Sequence, residues 1–397
     1  MFVSSLDAEL GRRLEAIRQP NLLRELRRVD SPQGPHLTIG GKTYLNFSSN
    51  DYLGLANHPA LKEAAIVAVK AFGAGAGASR LVCGSLALFH ELEEMLAIFK
   101  GTEAALTFST GYATALGAVT ALVGKGDVIV LDKLVHASIV DAAKLSGAKI
   151  RVFAHNDLND LEDILKWSSA RTASTAESTG GHMLIVTESI FSMDGDAAPL
   201  REIVELKNQY GAWLMVDEAH ATGLYGKHHR GLAEELGVSE QIDFQMGTLG
   251  KAIGASGGYI CGSRELIDLL VNRARSFVFS TAPVPASAAA ATAGLALIQS
   301  KEGSLLNQRL WEHVATCQSE ISGLKSKTTS AILPVIVGTE SKALSLAAEL
   351  YELGLFVPAI RYPTVARNTA RLRMTLSAAH SAADISELTR ALSALLE

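Results

Sequence analysis

Cysteine is scarce in this chain. Its 397 residues hold three, Cys83, Cys261 and Cys317, widely separated. That spacing forms neither a zinc pattern nor a disulfide framework, and it fits a reducing compartment. A basic excess is also missing. Thirty-six Lys and Arg against 41 Asp and Glu leave a net charge of −5, which disfavours nucleic acid as a partner. Long apolar runs are missing too. The longest, Tyr112–Val123 and Ala286–Ile298, fall short of the ~20 residues that span a bilayer. Near the start stand Asp7, Glu9, Arg12 and Arg13, where a secretory signal would need its apolar core. These absences predict a soluble, cytoplasmic protein with no nucleic-acid or membrane partner and no metal site. What is present argues for a folded enzyme-sized chain. Hydrophobic residues make up 48% and charged residues 19%, which excludes disorder. At roughly 150 residues per domain, the length predicts two to three domains, or one large domain with a smaller one attached.

Apolar positions Leu6, Leu10, Leu14, Ile17, Leu23 and Leu26 follow helical spacing, interrupted near Pro20. Residues 37–47 alternate around Gly40-Gly41, a hairpin signal. From about residue 58 helical patterns alternate with short apolar runs. The strand candidates are Ala104–Phe108, Asp127–Leu131, Lys149–Phe153, Met183–Thr187, Trp213–Val216, Phe244–Met246 and Gly258–Cys261. Several are apolar throughout, as in a sheet covered on both faces, and the alternation with helices implies parallel crossovers. After Pro283-Val-Pro285 comes an Ala-rich helix over 286–300, then a tail with strands near Ala331–Val337 and Leu372–Thr375. The reading is α/β: a helix-and-hairpin segment 1–57, a large mostly parallel-sheet domain 58–285, and a smaller α+β domain 286–397. The Ser/Thr/Ala/Gly-rich stretch 168–181 reads as a surface loop.

Three motifs carry little. Asp217-Glu-Ala-His220 spells a helicase-type ATPase box, but such an enzyme needs a phosphate loop. Its nearest candidate, Gly117 to Gly124-Lys125, has six intervening residues and no Ser or Thr after the lysine. Gly254-Ala-Ser-Gly-Gly258 matches G-x-S-x-G, yet the apolar strand follows the serine instead of preceding it. Ser322-Gly-Leu-Lys325 fits S-x-x-K with none of the other penicillin-binding elements nearby. Thr248-Leu-Gly-Lys251 differs, because it follows the strand at Phe244–Met246 just as Asp217 follows the one at Trp213–Val216. Open α/β sheets bind ligands outside the carboxyl ends of their strands. A lysine there can form Schiff bases, and a desolvated carboxylate there calls for a cationic partner.

Pyridoxal phosphate would use such a set. Lys251 supplies the amine for its aldehyde and Asp217 the carboxylate for its pyridinium nitrogen. His220 reaches the ring hydroxyl, and His136 stacks on the ring. The Ser109-Thr-Gly-Tyr112 turn offers amides to the phosphate at a helix N-terminus, with the Thr248 hydroxyl beside it. Taken singly, His136 reads as a surface histidine and Gly111 as a turn. Together the positions meet one cofactor's needs.

Longer motifs agree. Ser48-Ser-Asn-Asp-Tyr-Leu-Gly-Leu55, Phe191-Ser-Met-Asp-Gly-Asp196 with Ala198-Pro-Leu200, Asp217–His220, Thr248–Lys251 and Phe279-Ser-Thr-Ala-Pro283 resemble the α-oxoamine synthases, a fold-type I family of pyridoxal-phosphate transferases. The likeness covers nearly the whole chain. Ala359-Ile-Arg-Tyr-Pro-Thr-Val365, Thr369–Leu376 and Ala378-Ala-His380 resemble the branch that condenses L-alanine with pimeloyl-CoA or a pimeloyl-carrier protein in biotin biosynthesis, releasing carbon dioxide and the thiol. A sister branch uses glycine and acetyl-CoA. Asp51, Asp196 and Pro363-Thr-Val365 favour the alanine branch.

The resemblance implies roles. Lys251, His136, Asp217 and His220 would be catalytic. Gly111, Tyr112, Ser192, Thr248, Ser280 and Thr281 would join them in binding the cofactor. Arg24, Asn50, Ser79, Thr364 and Arg373 would meet substrate, with Arg373 on the alanine carboxylate as a bidentate fork and Arg371 as its rival. It also implies a homodimer with active sites at the interface, where Ser280 and Thr281 reach the other copy's phosphate. Tyr362 replaces the first proline of the family's Pro-Pro-Thr signature, and Ala366-Arg-Asn368 replaces a Pro-x-Gly turn. Both bear on acyl preference. Cys83 reads as a small filler within Gly73–Gly84.

Overall fold

The computed structural model describes residues 5–19, 21–174, 181–321 and 330–396. They form two compact units. One comprises Asn50–Ser192 and Asp196–Arg309; the other comprises Met1–Ser49, Met193–Gly195 and Leu310–Glu397.

The strands, in chain order, begin with the hairpin β1 (His36–Ile39) and β2 (Lys42–Asn46). Then come β3 (Ala104–Phe108), β4 (Val128–Asp132), β5 (Lys149–Phe153), β6 (Met183–Glu188), β7 (Trp213–Asp217), β8 (Phe244–Thr248) and β9 (Gly258–Gly262). The last are β10 (Ile332–Gly338), β11 (Leu355–Phe356), β12 (Ala359–Ile360) and β13 (Ala370–Thr375).

The larger unit is built on seven strands in the order β3-β9-β8-β7-β6-β4-β5. From β8 through β5 neighbours run parallel. β9 runs antiparallel to both β8 and β3, because only a turn separates it from β8. Leu106, Phe108, Ile129, Leu131, Leu184, Val186, Met215 and Ile260 share one core with the helices Gly111–Leu122, Ala137–Ser146 and Arg264–Arg273. Val128, Val130, Ile185, Leu214 and Val216, of the opposite parity, are equally buried. Successive strand residues point to opposite faces, so both faces are covered, and each such side chain contributes about 1.5–3 kcal/mol. β5 is the edge, where Lys149 and Val152 are exposed; a charged edge discourages further strand pairing.

In the smaller unit β1 and β2 meet at Gly40-Gly41, whose φ values of 57° and 79° suit a tight hairpin turn. β11 adds to β2 in parallel. A second sheet sets β13 between β10 and β12. His380 is buried and stacks on Phe47 with ring centroids 4.5 Å apart. Its Nε2 donates to the Asn46 carbonyl at 2.9 Å, and its Nδ1 accepts from the Ser377 amide at 3.0 Å. Burial pushes its pKa down to about 4, so it holds one neutral tautomer.

Two expectations are corrected. The first helix, Ser5–Arg18, ends before Pro20, and no helix follows it over 22–30. A proline cannot continue a helix, and Asn21 adopts a left-handed φ of 58°. The apolar stripe Leu6, Leu10, Leu14, Ile17 is exposed. The stretch read as a loop from 168 is helical to Ser174, because the helix Leu158–Ser174 runs into it. Residues 175–180 lie outside the described residues, as does Ser322–Lys325.

Candidate active site

The carboxyl ends of β3, β6, β7 and β8 share one edge of the large sheet. A cavity of about 140 Å³ opens there, lined by Gly111, Tyr112, His136, Ser138, Glu188, Asp217, Ala219, His220, Met246, Gly247, Thr248 and Lys251. Seven predicted residues therefore meet in one pocket. Asp217 and Thr248 are the last residues of their strands. β9 lies so close to the helix at Gly111 that a side chain on Gly258 would approach the Gly111 amide nitrogen to 2.7 Å.

Each side chain is held. Lys251 Nζ lies 2.7 Å from His220 Nε2, and His220 Nδ1 lies 2.5 Å from the Tyr52 hydroxyl. Asp217 Oδ1 accepts from the Ala219 amide at 2.9 Å. Burial raises its pKa, opposed by the charge of Lys251. His136 caps the helix Ala137–Ser146, its Nδ1 accepting from the Ser138 amide at 3.2 Å. That bond requires a lone pair on Nδ1, and burial lowers the pKa, so the ring is neutral. Thr248 Oγ1 donates to the Gly257 carbonyl at 2.9 Å and accepts from the Gly250 amide at 3.2 Å. The Tyr112 hydroxyl donates to Asp141 at 2.7 Å.

Glu188 was not foreseen. It pairs in register with Asp217 across β6 and β7. Its Oε2 accepts from the Ser192 amide at 3.2 Å, while Oε1 has no partner among the described residues. Burial and the nearby Asp217 charge push it up to about 8, which favours the protonated acid. The rule that found Asp217, a carboxylate at the carboxyl end of an apolar strand, also applies to Glu188.

Other predicted residues lie elsewhere. Ser192 is not among the pocket's lining residues; its amide donates to Glu188 Oε2 at 3.2 Å. Ser280 and Thr281 line a small cleft with Arg80, Ser109 and Ser276, outside the lining around Lys251. Ser79 shapes a turn, its carbonyl accepting from the Val82 and Gly84 amides. Asn50 belongs to the larger unit and is half-buried. Arg24, Thr364 and Arg373 belong to the smaller unit. There Arg24 donates to Thr364 Oγ1 at 3.3 Å. Arg371 is committed to Asp194 at 2.5 Å and to the Met193 carbonyl. Arg373, buried on β13, is braced on Thr375 Oγ1 at 3.0 Å. Cys261 and Cys317 are buried thiols pushed up to about 12, and Cys83 is exposed. No group of metal-ligating side chains occurs among the described residues, and none of their helices is long and apolar enough to cross a membrane.

Outside the pocket lining, His155 sits between two carboxylates. Its Nδ1 is 3.0 Å from Asp132 and its Nε2 is 2.7 Å from Asp196. Asp132 also accepts from the Leu134 amide, two residues before His136. Burial lowers the His155 pKa, but the hydrogen bonds and charges of both aspartates outweigh it and raise it from 6.5 to about 10. A raised histidine pKa adds stability that is complete below the unfolded value and lost as pH rises through the folded one. His155→Gln is therefore expected to lower stability by about 2–3 kcal/mol near pH 6.5 and by little above about 10. Urea unfolding at both pH values checks this, and an equal loss at the two would contradict it.

The chain belongs to the class I and II aminotransferase family, which it matches over residues 42–392. More narrowly, it is similar to the 8-amino-7-oxononanoate synthase of Geobacter sulfurreducens, with 48% identity over 386 residues, 96% of this chain and 95% of that one. It is also similar to a solved serine palmitoyltransferase from S. paucimobilis with bound PLP–myriocin (TM-score 0.89, 28% identity, 99% of this chain and 98% of that one). A solved 8-amino-7-oxononanoate synthase from Francisella tularensis matches with a TM-score of 0.73 and 28% identity over 89% of this chain and 98% of that one. The fold-type I architecture expected from the motifs is the one found.

Proposed function

We propose that this enzyme condenses L-alanine with pimeloyl-CoA, or with pimeloyl-carrier protein, to give 8-amino-7-oxononanoate, carbon dioxide and the free thiol, in biotin biosynthesis and with pyridoxal 5'-phosphate as cofactor. The observation that carries the reading is the pocket joining Lys251, Asp217, His136 and His220 in a chain nearly half identical, end to end, to such a synthase.

The donor set fits the cofactor. A buried carboxylate lining the pocket, held through Oδ1 by the Ala219 amide, suits a pyridinium N–H. A neutral histidine face suits a cationic ring. The first amides of the helix at Gly111 have no intrahelical acceptors and suit a phosphate, with Thr248 alongside. Pyridoxal phosphate, when bound, supplies an electron-withdrawing ring that stabilises negative charge at the α-carbon of an attached amino acid. Lys251 would hold the cofactor at its aldehyde, and its Nζ would take the alanine α-proton. Asp217 keeps the ring nitrogen's proton in place. Burial favours the protonated form of Glu188, which limits the negative charge beside Asp217. Arg373 is the family's counterpart for the alanine carboxylate, and Arg371 is engaged by Asp194. Arg24 and Thr364, already bonded to each other, act together on the substrate.

The working form is a cytoplasmic homodimer. Leu81 and Ile98 stand exposed along a groove of about 520 Å³ on the larger unit. Ser280 and Thr281, absent from their own chain's pocket, serve the phosphate of the second copy.

Thiol release tests the reaction. The purified enzyme is expected to release thiol chiefly from L-alanine with pimeloyl-CoA, and far less from glycine with acetyl-CoA. The reverse preference would assign it to the glycine C-acetyltransferases and overturn the reading.

A further inference from the structure

Tyr52 lies within the Ser48–Leu55 motif, and no step above uses it. It is 1% exposed, and a buried phenol needs a hydrogen-bond partner. Its hydroxyl meets His220 Nδ1 at 2.5 Å, with the two rings edge to face at 67°. On the far side of the same imidazole, Nε2 meets Lys251 Nζ at 2.7 Å. Three side chains from three separate segments thus form one line of hydrogen bonds ending on the pocket amine.

The direction of that line matters. A phenol is a better donor to an imidazole lone pair than an acceptor from it. We infer that Tyr52 donates to His220 Nδ1, fixing the tautomer with its proton on Nε2, so that His220 presents an N–H to Lys251 and holds it as the neutral amine. Nε2–H can donate only to an unprotonated Nζ, and the unprotonated amine is the form that attacks an aldehyde. Tyr52 is a positioning residue that acts on Lys251 through His220. Its link to catalysis rests on the pyridoxal phosphate reading; the tautomer does not.

Other ionisable groups lie around this line. Asp217 faces Lys251 and favours the ammonium, burial raises the pKa of Glu188, and burial lowers that of His136. Tyr225, beside Tyr52, has its pKa raised by burial and stays a phenol.

Two measurements test the inference. Nitrogen-15 imidazole shifts of the apoprotein, with His220→Asn used to assign the signal, are expected to show His220 protonated on Nε2 and bare on Nδ1. Cofactor capture by the apoprotein, followed by visible absorbance, is expected to slow about tenfold at neutral pH in Tyr52→Phe, with its pH midpoint raised by about one unit. A proton on Nδ1 in the unaltered protein would overturn the inference. So would an unchanged capture rate and midpoint in Tyr52→Phe. Neither readout involves an acyl substrate, so failure here is distinguishable from failure of the proposed reaction.

Discussion

Lys251→Ala is expected to abolish turnover while leaving a protein that still folds. Lys251 is part-buried at a strand end and touches His220, and its removal deletes no apolar core. The loss combines two functions. Removing a positioned general base costs about 10²–10⁴-fold by itself, and the covalent hold on the aldehyde goes with it. Asp217, His136 and Thr248 remain to bind the cofactor non-covalently. The variant should therefore take up pyridoxal phosphate more weakly and lack the visible band of a lysine adduct. Thiol release and absorbance on one sample check both points. Turnover above about one-hundredth of normal would place the base elsewhere.

Lys100→Met should give the largest loss of stability. Lys100 and Glu218 form an ion pair in which both side chains are only 1% exposed. Lys100 Nζ also donates to the Arg230 carbonyl at 2.6 Å, and Glu218 Oε1 accepts from the Ala233 amide at 2.9 Å. Removing the ammonium leaves a carboxylate uncompensated in the interior, at a cost of about 3–5 kcal/mol. Lys100→Met/Glu218→Gln removes both charges and should recover most of that loss. Urea unfolding of the two variants decides the matter; equal stability of the single and double variants would contradict it. Because Glu218 follows Asp217 directly, the single variant should also bind cofactor less tightly.

The strands were legible because their burial is written as continuous apolar runs. Val128–Leu131 and Met183–Val186 have no polar residue to obscure the pattern. Lys251 and Asp217 were legible for the converse reason, as charges placed where those runs stop. Polar groups that face inward were not. Asp217-Glu-Ala-His220 reads as one motif, yet the pocket takes Asp217 and His220 while Glu218 pairs with a lysine 118 positions away. Nothing local distinguishes Glu218 from its neighbours. His155 and Lys100 are hidden likewise, since their partners come from segments 23 to 118 positions away. The helix past residue 168 was missed because Ser and Thr fit its end as well as they fit a loop.

The smaller unit is assembled from both ends of the chain, and this sets a schedule for its synthesis. β2 leans on residues around Phe356; the Ser48 hydroxyl and its acceptor, the Phe356 carbonyl, are 308 positions apart. At translation rates of about 5–20 residues per second, that separation is about 15–60 s. Throughout that interval the hairpin exists without the strand that flanks it, while Asn50–Arg309, the span that encloses the larger unit, is being made. The nascent chain therefore carries an open strand edge at its front and closes it only when the last segments emerge.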